Sequence, residues 1–267
     1  MVDVNVGGGA GHGAEVVVAE GGSAANAAVW AASLGAWATV VGRVGADAGA
    51  RMLRTGLDER GVRTLLATDP ALPTGAVVTL DGSPRVDRGA NRAFTPGDVP
   101  GRLAFDAVLV SGYALLQVDS GPAAEAALAR AVTGWLAVDA GSAGLLEQYG
   151  AERFLEATQA ADVLLANEEE ARILTGEEPE AAAATLGRHF RLACVKRGAA
   201  GAVAVLDGTS MSAPAPPVLD PRPNGAGDAF APGLLCALAR GASLGDALVE
   251  ACRCGSLAAS RDEAWPP

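Results

Sequence analysis

The chain has 267 residues, of which 50% are hydrophobic and 4% aromatic, and it carries a net charge of −11. This charge excludes nucleic acid as the main partner, because phosphate backbones are bound by basic surfaces, but it leaves open a single nucleotide held by backbone N–H groups and Mg²⁺. No apolar run reaches the roughly 18 residues of a membrane span, and the N-terminus lacks a signal-peptide pattern, so we expect no membrane partner and a cytoplasmic location.

Two segments of the first ninety residues break the pattern of the rest of the chain. Val2–Glu20 is Gly-rich with short valine runs, and Gly75–Arg88 holds two short strands joined at Asp81-Gly82-Ser83. Both are typical of small antiparallel pieces, and we predict that they form a β flap beside a main sheet. Between them, the sequence predicts a helix at Ala24–Leu34, a strand at Ala38–Gly42 and a helix at Asp47–Arg60 that ends at Gly61.

From Ala107 onward, apolar strands alternate with Ala-rich helices, which is typical of a mostly parallel sheet with helices on both faces. Ligands in such folds bind outside the carboxyl ends of the strands. The predicted elements are a strand at Ala107–Val110, a helix at Gly121–Val132, a strand at Trp135–Val138, a helical stretch to about Ala160, a strand at Asp162–Ala166, a helix at Glu168–Thr175, a strand at Leu192–Lys196 with a hairpin partner at Ala202–Leu206, and helices at Gly227–Arg240 and Ser243–Ser260.

The strongest local signal is the segment Asn224–Phe230 (NGAGDAF), which follows a proline-rich loop and begins a long apolar helix. Gly225 and Gly227 allow backbone conformations closed to other residues, so that successive N–H groups, including that of Ala226, can point into one cavity. The positive end of the helix dipole adds to a site that would suit a transferring phosphoryl group. Asp228, in the first turn, could accept a proton from an attacking hydroxyl. A capped helix start, in which Asp228 only complements the dipole, explains the spacing equally well.

Two other motifs each have a structural and a functional interpretation. Gly21, Gly22 and Asn26 could cap the helix that begins near Ala24, but an Asn within the first turns costs helix stability relative to Ala, which favours a role in binding hydroxyl groups. The acids Glu168–Glu170 could simply be residues that favour a helix N-terminus. The two histidines have no evident nucleophile partner, so we do not expect a His-based triad.

Three motifs together, GAGDAF, GGSAANAA (Gly21–Ala28) and NEEE (Asn167–Glu170), resemble the ribokinase-like carbohydrate kinase family, also called the phosphofructokinase B family. The similarity runs from about Asp3 to the C-terminus and includes GRVGADAG (Gly42–Gly49), DRGAN (Asp87–Asn91) and VKRGAAGA (Val195–Ala202). It implies one kinase domain over residues 1–267, a three-layer α/β/α sandwich with a mostly parallel central sheet, and a small β lid at about residues 4–20 and 75–90.

The resemblance also implies a role for individual residues. Asp228 matches the catalytic base, and the backbone of Gly225, Ala226 and Gly227 would form the anion hole. ATP and Mg²⁺ are the implied cofactors. The remaining matches are Asp3, Gly21, Gly22 and Asn26 for binding the substrate, Asn167 and Glu170 for placing Mg²⁺ and the phosphates, with Glu170 reaching the metal through water, and Lys196 and Gly198 beside the nucleotide.

The chain departs from the family pattern in two places. The family has a strand and a Gly-Asp turn ahead of the position of Asp3, where this sequence has only Met1 and Val2. Because that strand lies in the middle of the sheet, a chain without it is expected to leave ladder groups unpaired and a slot open in the core. A chain start assigned too late would explain the missing strand, and so would a truncated product. Asp220–Asn224 is two residues longer than its counterpart and holds two prolines. That loop often helps to bind a monovalent cation in the family, and such a cation is a further expectation here.

The expected function is ATP-dependent phosphorylation of a hydroxyl, in the first place a primary one, on a small sugar. Two alternatives stay open, namely a nucleoside kinase of the same family and a catalytically impaired binding protein that lacks the first strand. A nucleoside base needs aromatic or apolar surface on which to stack, and the lid segments hold no Phe, Trp or Tyr, which favours a sugar. An exposed lid could also pair between two copies of the chain as a homodimer.

Overall fold

The computed structural model of the chain describes residues 1–7, 15–80, 83–222 and 225–267, which form fourteen strands and ten α-helices. The strands are β1 Val2–Gly7, β2 Glu15–Glu20, β3 Thr39–Gly45, β4 Arg63–Asp69, β5 Ala76–Leu80, β6 Ser83–Asp87, β7 Leu103–Ala104, β8 Ala107–Ser111, β9 Ala131–Val132, β10 Trp135–Asp139, β11 Val163–Asn167, β12 Leu192–Lys196, β13 Ala202–Leu206 and β14 Thr209–Ala213. The helices are α1 Ser23–Ser33, α2 Ala48–Glu59, α3 Gly112–Leu115, α4 Gly121–Arg130, α5 Ala143–Tyr149, α6 Ala151–Ala157, α7 Glu168–Thr175, α8 Pro179–Leu186, α9 Ala226–Ala239 and α10 Leu244–Ala259.

Six of these strands form the main sheet, in the order β14-β13-β12-β11-β10-β8. Four of them, β8, β10, β11 and β12, run parallel, whereas β13 and β14 are antiparallel to their neighbours. Alternate side chains of β11 face opposite layers: Leu164 packs in one core cluster with Phe154 of α6, and Leu165 packs in another with Phe230 of α9 and Leu248 of α10. The predicted three-layer α/β/α architecture with a mostly parallel sheet is therefore confirmed.

The predicted lid is a separate four-stranded sheet in the order β2-β1-β5-β6. Both predicted antiparallel pairs are present, β1 with β2 and β5 with β6. The two pairs are also joined, because β1 runs parallel to β5 with Asp3 opposite Val77. The turn residues Asp81 and Gly82 lie outside the described residues. The lid is thus one sheet made of two segments that are more than fifty residues apart in the chain.

The predictions for two helical segments are wrong, one in where the helix ends and the other in whether it is continuous. The helix predicted at Gly121–Val132 ends at Arg130, because Ala131 is extended, with φ −68° and ψ 132°, and β9 pairs in parallel with β7. The helical stretch predicted to reach about Ala160 is two helices, α5 and α6, that meet at Gly150 with φ 93°. Short pieces such as β14 and α8 carry weak sequence signals and are absent from the prediction.

A slot separates the main sheet from β3. Within the described ranges, β8 is the outermost strand of the main sheet and β3 pairs only with β4, in a two-stranded parallel sheet. A cavity of about 550 Å³ lies between them, lined on one side by Thr39–Val41 and on the other by Ala107–Ser111. The open slot expected from the sequence is therefore present. Helices α1 and α9, which pack against each other, bridge the two parts.

Membrane insertion of a helix finds no support in the part of the chain that is described, where each helix is too short or too polar to cross a bilayer.

Candidate active site

The N-terminus of α9 places glycine amides beside a lysine. Gly225 precedes the helix with φ 81°, a left-handed conformation that favours glycine. Among the described residues, no acceptor is bonded to the amides of Gly225, Ala226 or Gly227. A β-carbon at Gly227 would come within 3.4 Å of the Lys196 ammonium nitrogen. An anion placed here would meet unbonded amides, the positive end of the helix dipole and an ammonium group.

Asp228 lies in the first turn of α9 and is hydrogen-bonded to a side chain of α1. Its Oδ2 accepts a hydrogen bond of 2.8 Å from Nδ2 of Asn26, which is 5% exposed. Burial raises the pKa of Asp228 above its ordinary value, and hydrogen bonding from Asn26 and Ser23 opposes part of that rise. A carboxylate with a raised pKa is a stronger base, which suits it to receive a proton from an alcohol. Asp228 lines the cavity described above, so it is accessible to a ligand.

The side chain of Asp3 lies against the glycine pair, Gly21 and Gly22, that precedes α1. A β-carbon at Gly21 would collide with the Asp3 carboxyl group, and Gly22 caps α1 with φ 98°. The pKa of Asp3 is raised to about 6 by burial, with the N-terminal ammonium opposing the shift and the charge of Asp228 adding to it. The glycines therefore let the carboxylate of Asp3 lie close to the N-terminus of α1, within the field of Asp228.

A second cluster of charged side chains lies at the carboxyl ends of the central strands. The Lys196 ammonium, at the end of β12, donates to Oδ2 of Asp139, at the end of β10, at 2.6 Å. Burial opposes the charge of Lys196, but Asp139 and Glu170 raise its pKa overall. Glu170 is 2% exposed, and its burial raises its own pKa, which Lys196 counteracts.

Asn167 and Glu170 take part in the start of α7. The side chain of Asn167 accepts from the backbone N–H of Glu170 at 2.8 Å, and Oε2 of Glu170 accepts from the backbone N–H of Asn167 at 2.8 Å. This capping box is the structural interpretation of the NEEE motif. It occupies only Oε2 of Glu170, so Oε1 stays available for a ligand. Gly198 is exposed in a single 3₁₀ turn two residues beyond Lys196.

Several residues of this region were missed by sequence reasoning. Asp139 directly follows the predicted strand Trp135–Val138, so the rule that ligands bind at carboxyl ends of strands could have found it. Tyr113, just after β8, has its pKa raised by burial and by Asp228, Glu170 and Asp139, which places it within reach of the same charges. Trp265 donates from Nε1 to Oδ1 of Asn26 at 2.9 Å. Nothing in the sequence signals that contact.

The acidic residues fit a magnesium ion that is shared with a nucleotide. In the described ranges, no group of three or more His, Cys, Asp or Glu side chains could hold a metal alone. Mg²⁺ usually takes one or two protein carboxylates and completes its shell with water and phosphate oxygens, and Glu170 can supply such a carboxylate. The loop expected to help bind a monovalent cation includes Pro223 and Asn224, which lie outside the described residues.

Comparison with known proteins shows which family this chain resembles. The model for "pfkB family carbohydrate kinase" matches residues 3–266. The chain is 32% identical over 259 residues to an ATP-dependent ribose-1-phosphate kinase of Halopiger xanaduensis, with 91% of this chain and 81% of the relative covered. It is 31% identical over 265 residues to a fructokinase of Klebsiella pneumoniae, with 89% and 85% covered. In fold it resembles the aminoimidazole riboside kinase of Salmonella enterica, with a TM-score of 0.83, 23% identity, and 99% and 92% of the two chains covered.

Proposed function

Because the chain belongs to the pfkB family of carbohydrate kinases, we propose that it transfers the γ-phosphoryl group of ATP to a primary hydroxyl of a small sugar or sugar-like molecule. The observation that carries this proposal is the arrangement at the N-terminus of α9. There a partly buried carboxylate, that of Asp228, lines a cavity next to amides that no described residue engages. Family membership makes the chain a kinase of sugars or nucleosides, and the choice of acceptor and the residue roles below are our proposal.

In the proposed reaction, the acceptor oxygen attacks the γ-phosphorus while the bond from that phosphorus to the bridging oxygen breaks and ADP leaves. Asp228 receives the proton of the acceptor hydroxyl. The amides of Gly225, Ala226 and Gly227 donate to the oxygens of the transferring group, where negative charge is concentrated. Most of the acceleration comes from positioning, because a carboxylate is a weak base for an alcohol and takes the proton late.

The acceptor is proposed to lie between the lid and α1. Asp3 comes from lid strand β1, whereas Gly21, Gly22 and Asn26 come from the start of α1. The carboxylate of Asp3 can accept hydrogen bonds from sugar hydroxyls, and the second N–H of the Asn26 amide remains for the substrate. The lid segments hold no Phe, Trp or Tyr on which a nucleoside base could stack, so a sugar is proposed first.

The nucleotide is proposed to bind at the carboxyl ends of β11 and β12. Lys196 would neutralise phosphate charge, and Gly198 would lie beside the nucleotide. Glu170, together with Asn167, would hold Mg²⁺ through water. The ion supplies charge neutralisation for the phosphates when it is bound.

The lid is also proposed to pair two copies of the chain. The edge strand β2 exposes three consecutive valines, Val16, Val17 and Val18, at 58%, 47% and 51%. Exposed apolar residues on an edge strand are a surface for pairing. Light scattering should give twice the monomer mass for the wild type and the monomer mass for Val17→Lys, and a monomeric wild type would refute the pairing.

A panel of acceptors tests the proposed function. Purified chain with ATP and Mg²⁺ should release ADP with at least one pentose, hexose or keto-deoxy acid, and faster than with any nucleoside. Turnover with a nucleoside alone would reassign the acceptor. ATP binding without ADP release for any acceptor would refute the kinase proposal.

The slot between β8 and β3 favours one alternative, a protein that binds ligands without turnover. An apolar cavity of about 550 Å³ removes packing from the helices that carry the site. Thermal shift separates the two functions, because a ligand that binds only the folded chain raises its Tm. A Tm that rises with ATP–Mg²⁺ and sugar, without ADP release, would favour the binding protein.

A further inference from the structure

We propose that Trp265 is a positioning residue of the active site, which fixes the amide of Asn26 and, through it, the carboxylate of Asp228. The proposal deepens the proposed function and rests on it for the role of Asp228. It assigns a task to the segment Ala264–Pro266, which follows the last helix.

The chemistry of the three side chains allows only one orientation of the Asn26 amide. An indole N–H can only donate, and an ionised carboxylate can only accept. Trp265 donates to one end of the amide at 2.9 Å, and Asp228 accepts from the other end at 2.8 Å. The oxygen of Asn26 must therefore face the indole and its nitrogen must face the carboxylate. Without the indole N–H, the amide oxygen loses its donor, and the amide is free to rotate so that its N–H no longer points at the carboxylate.

The tail that carries Trp265 is fixed on both sides of this contact. Trp30 of α1 donates from Nε1 to the carbonyl oxygen of Ala264 at 2.8 Å. Arg60 donates to the carbonyl oxygen of Pro266 at 3.1 Å and stacks its guanidinium over the Trp265 ring, 5.3 Å from the centroid. The Trp265 side chain is itself buried, with 5% exposed.

The same tail also packs against the glycine turn that precedes α9. A β-carbon placed on Gly225 would come within 3.0 Å of the Ala264 β-carbon. The tail thus touches both parts of the proposed machinery, the base through Asn26 and the anion site through Gly225. A tail that served only to fill the core would need neither a donor aimed at Asn26 nor contact with that turn.

The test replaces Trp265 by Phe, which keeps an aromatic ring and removes the N–H. We expect kcat to fall by about fivefold to tenfold, the effect of one hydrogen bond, with KM for ATP unchanged. Because hydrogen bonding from Asn26 lowers the pKa of Asp228, its weakening should move the acid limb of the kcat–pH profile to higher pH. Trp37→Phe is the matched control, since Trp37 is 98% exposed and should leave both readouts unchanged.

A double-mutant cycle shows whether Trp265 acts through Asn26. In an Asn26→Ala background, Trp265→Phe should have no further effect on kcat, because the group that it positions is gone. Equal effects of Trp265→Phe with and without Asn26 would overturn the proposal, as would a loss of kcat without movement of the acid limb.

A chain without kinase activity would refute the proposed function and still permit this test. The Asp228 carboxyl carbon can be titrated by NMR in wild-type and Trp265→Phe chains at equal ligand-free conditions. A higher pKa in the variant supports the positioning role, and an unchanged pKa in a variant whose Tm is retained contradicts it.

Discussion

Helices α1 and α9 each line two regions of the molecule that differ in how closely their side chains pack. At their N-termini, Asn26 and Asp228 are joined by a hydrogen bond of 2.8 Å, and Trp265 of the tail donates a second hydrogen bond to Asn26. Further along the same helices, Ala27 and Pro232 face the slot between β8 and β3, which belongs to the same cavity of about 550 Å³ that Asp228 lines. The comparison teaches that the geometry of the proposed site is set by contacts between the two helices and the tail.

The largest difference between these regions is expected from matched glycines at the two ends of α9. Gly225 has φ 81° and Gly241 has φ 80°, so Ala at either position bears the cost of the left-handed conformation. Only at Gly225 would the new methyl group also press on the tail, at Ala264. Gly225→Ala should lower kcat about 10²-fold, comparable to the loss of an oxyanion-hole donor, whereas Gly241→Ala should only lower Tm. Equal kcat values in steady-state assays would show that the turn at Gly225 has no special role.

A second pair of substitutions probes packing beside the site and in the slot. Ala229 is 0% exposed and packs with Trp30 and Cys254, whereas Ala27 lines the slot. Ala229→Leu should cost about 1 to 3 kcal/mol of unfolding free energy through overpacking. Ala27→Leu should leave it unchanged or raise it by up to about 1 kcal/mol, because the new side chain fills empty space. Urea denaturation measures both, and equal destabilisation would mean that the slot closes in solution.

A third effect is expected from Asp3, as a dependence of stability on pH. Its pKa is raised from 3.8 to about 6, chiefly by burial, so the folded chain holds this proton more tightly than the unfolded chain. The stabilisation from the protonated acid is complete below 3.8 and is lost as the pH rises through about 6.

Asp3→Asn cannot ionise, so its Tm should match that of the wild type near pH 4 and exceed it increasingly up to about pH 7. Asp106→Asn, an exposed position at the slot, is the control and should follow the wild type throughout. A Tm difference for Asp3→Asn that shrinks as the pH rises would contradict the sign of the shift.

The parts of the fold that could be predicted are those in which local signals and tertiary structure agree. The strand Leu192–Lys196 is an apolar run closed by a lysine, and the helix Glu168–Thr175 has a capping residue before it and a glycine after it, so both were placed with their observed bounds. The end of the helix at Gly121–Val132 could not be predicted, because Ala131 and Val132 continue a helical pattern but are drawn into pairing with β7.

The residues of the candidate site also fall into those that could be predicted from the sequence and those that could not. Asp228 and Asn26 stand in motifs, and the structure brings them together although they are 202 residues apart in the chain. Trp265 is hydrogen-bonded to Asn26 although the two are 239 residues apart in the chain. The tail that carries Trp265 has no periodicity or motif that would predict this contact. Contacts of that kind depend on how the whole chain packs, and local patterns do not encode them.

The most direct measurement of the central claim is turnover by Asp228→Asn, together with its affinity for ATP. The account predicts that kcat falls at least ~10²-fold, as for the loss of a general base, while the Kd for ATP and the Tm stay close to those of the wild type. Near-normal kcat in a folded variant that binds ATP would contradict the assignment of Asp228 as the base.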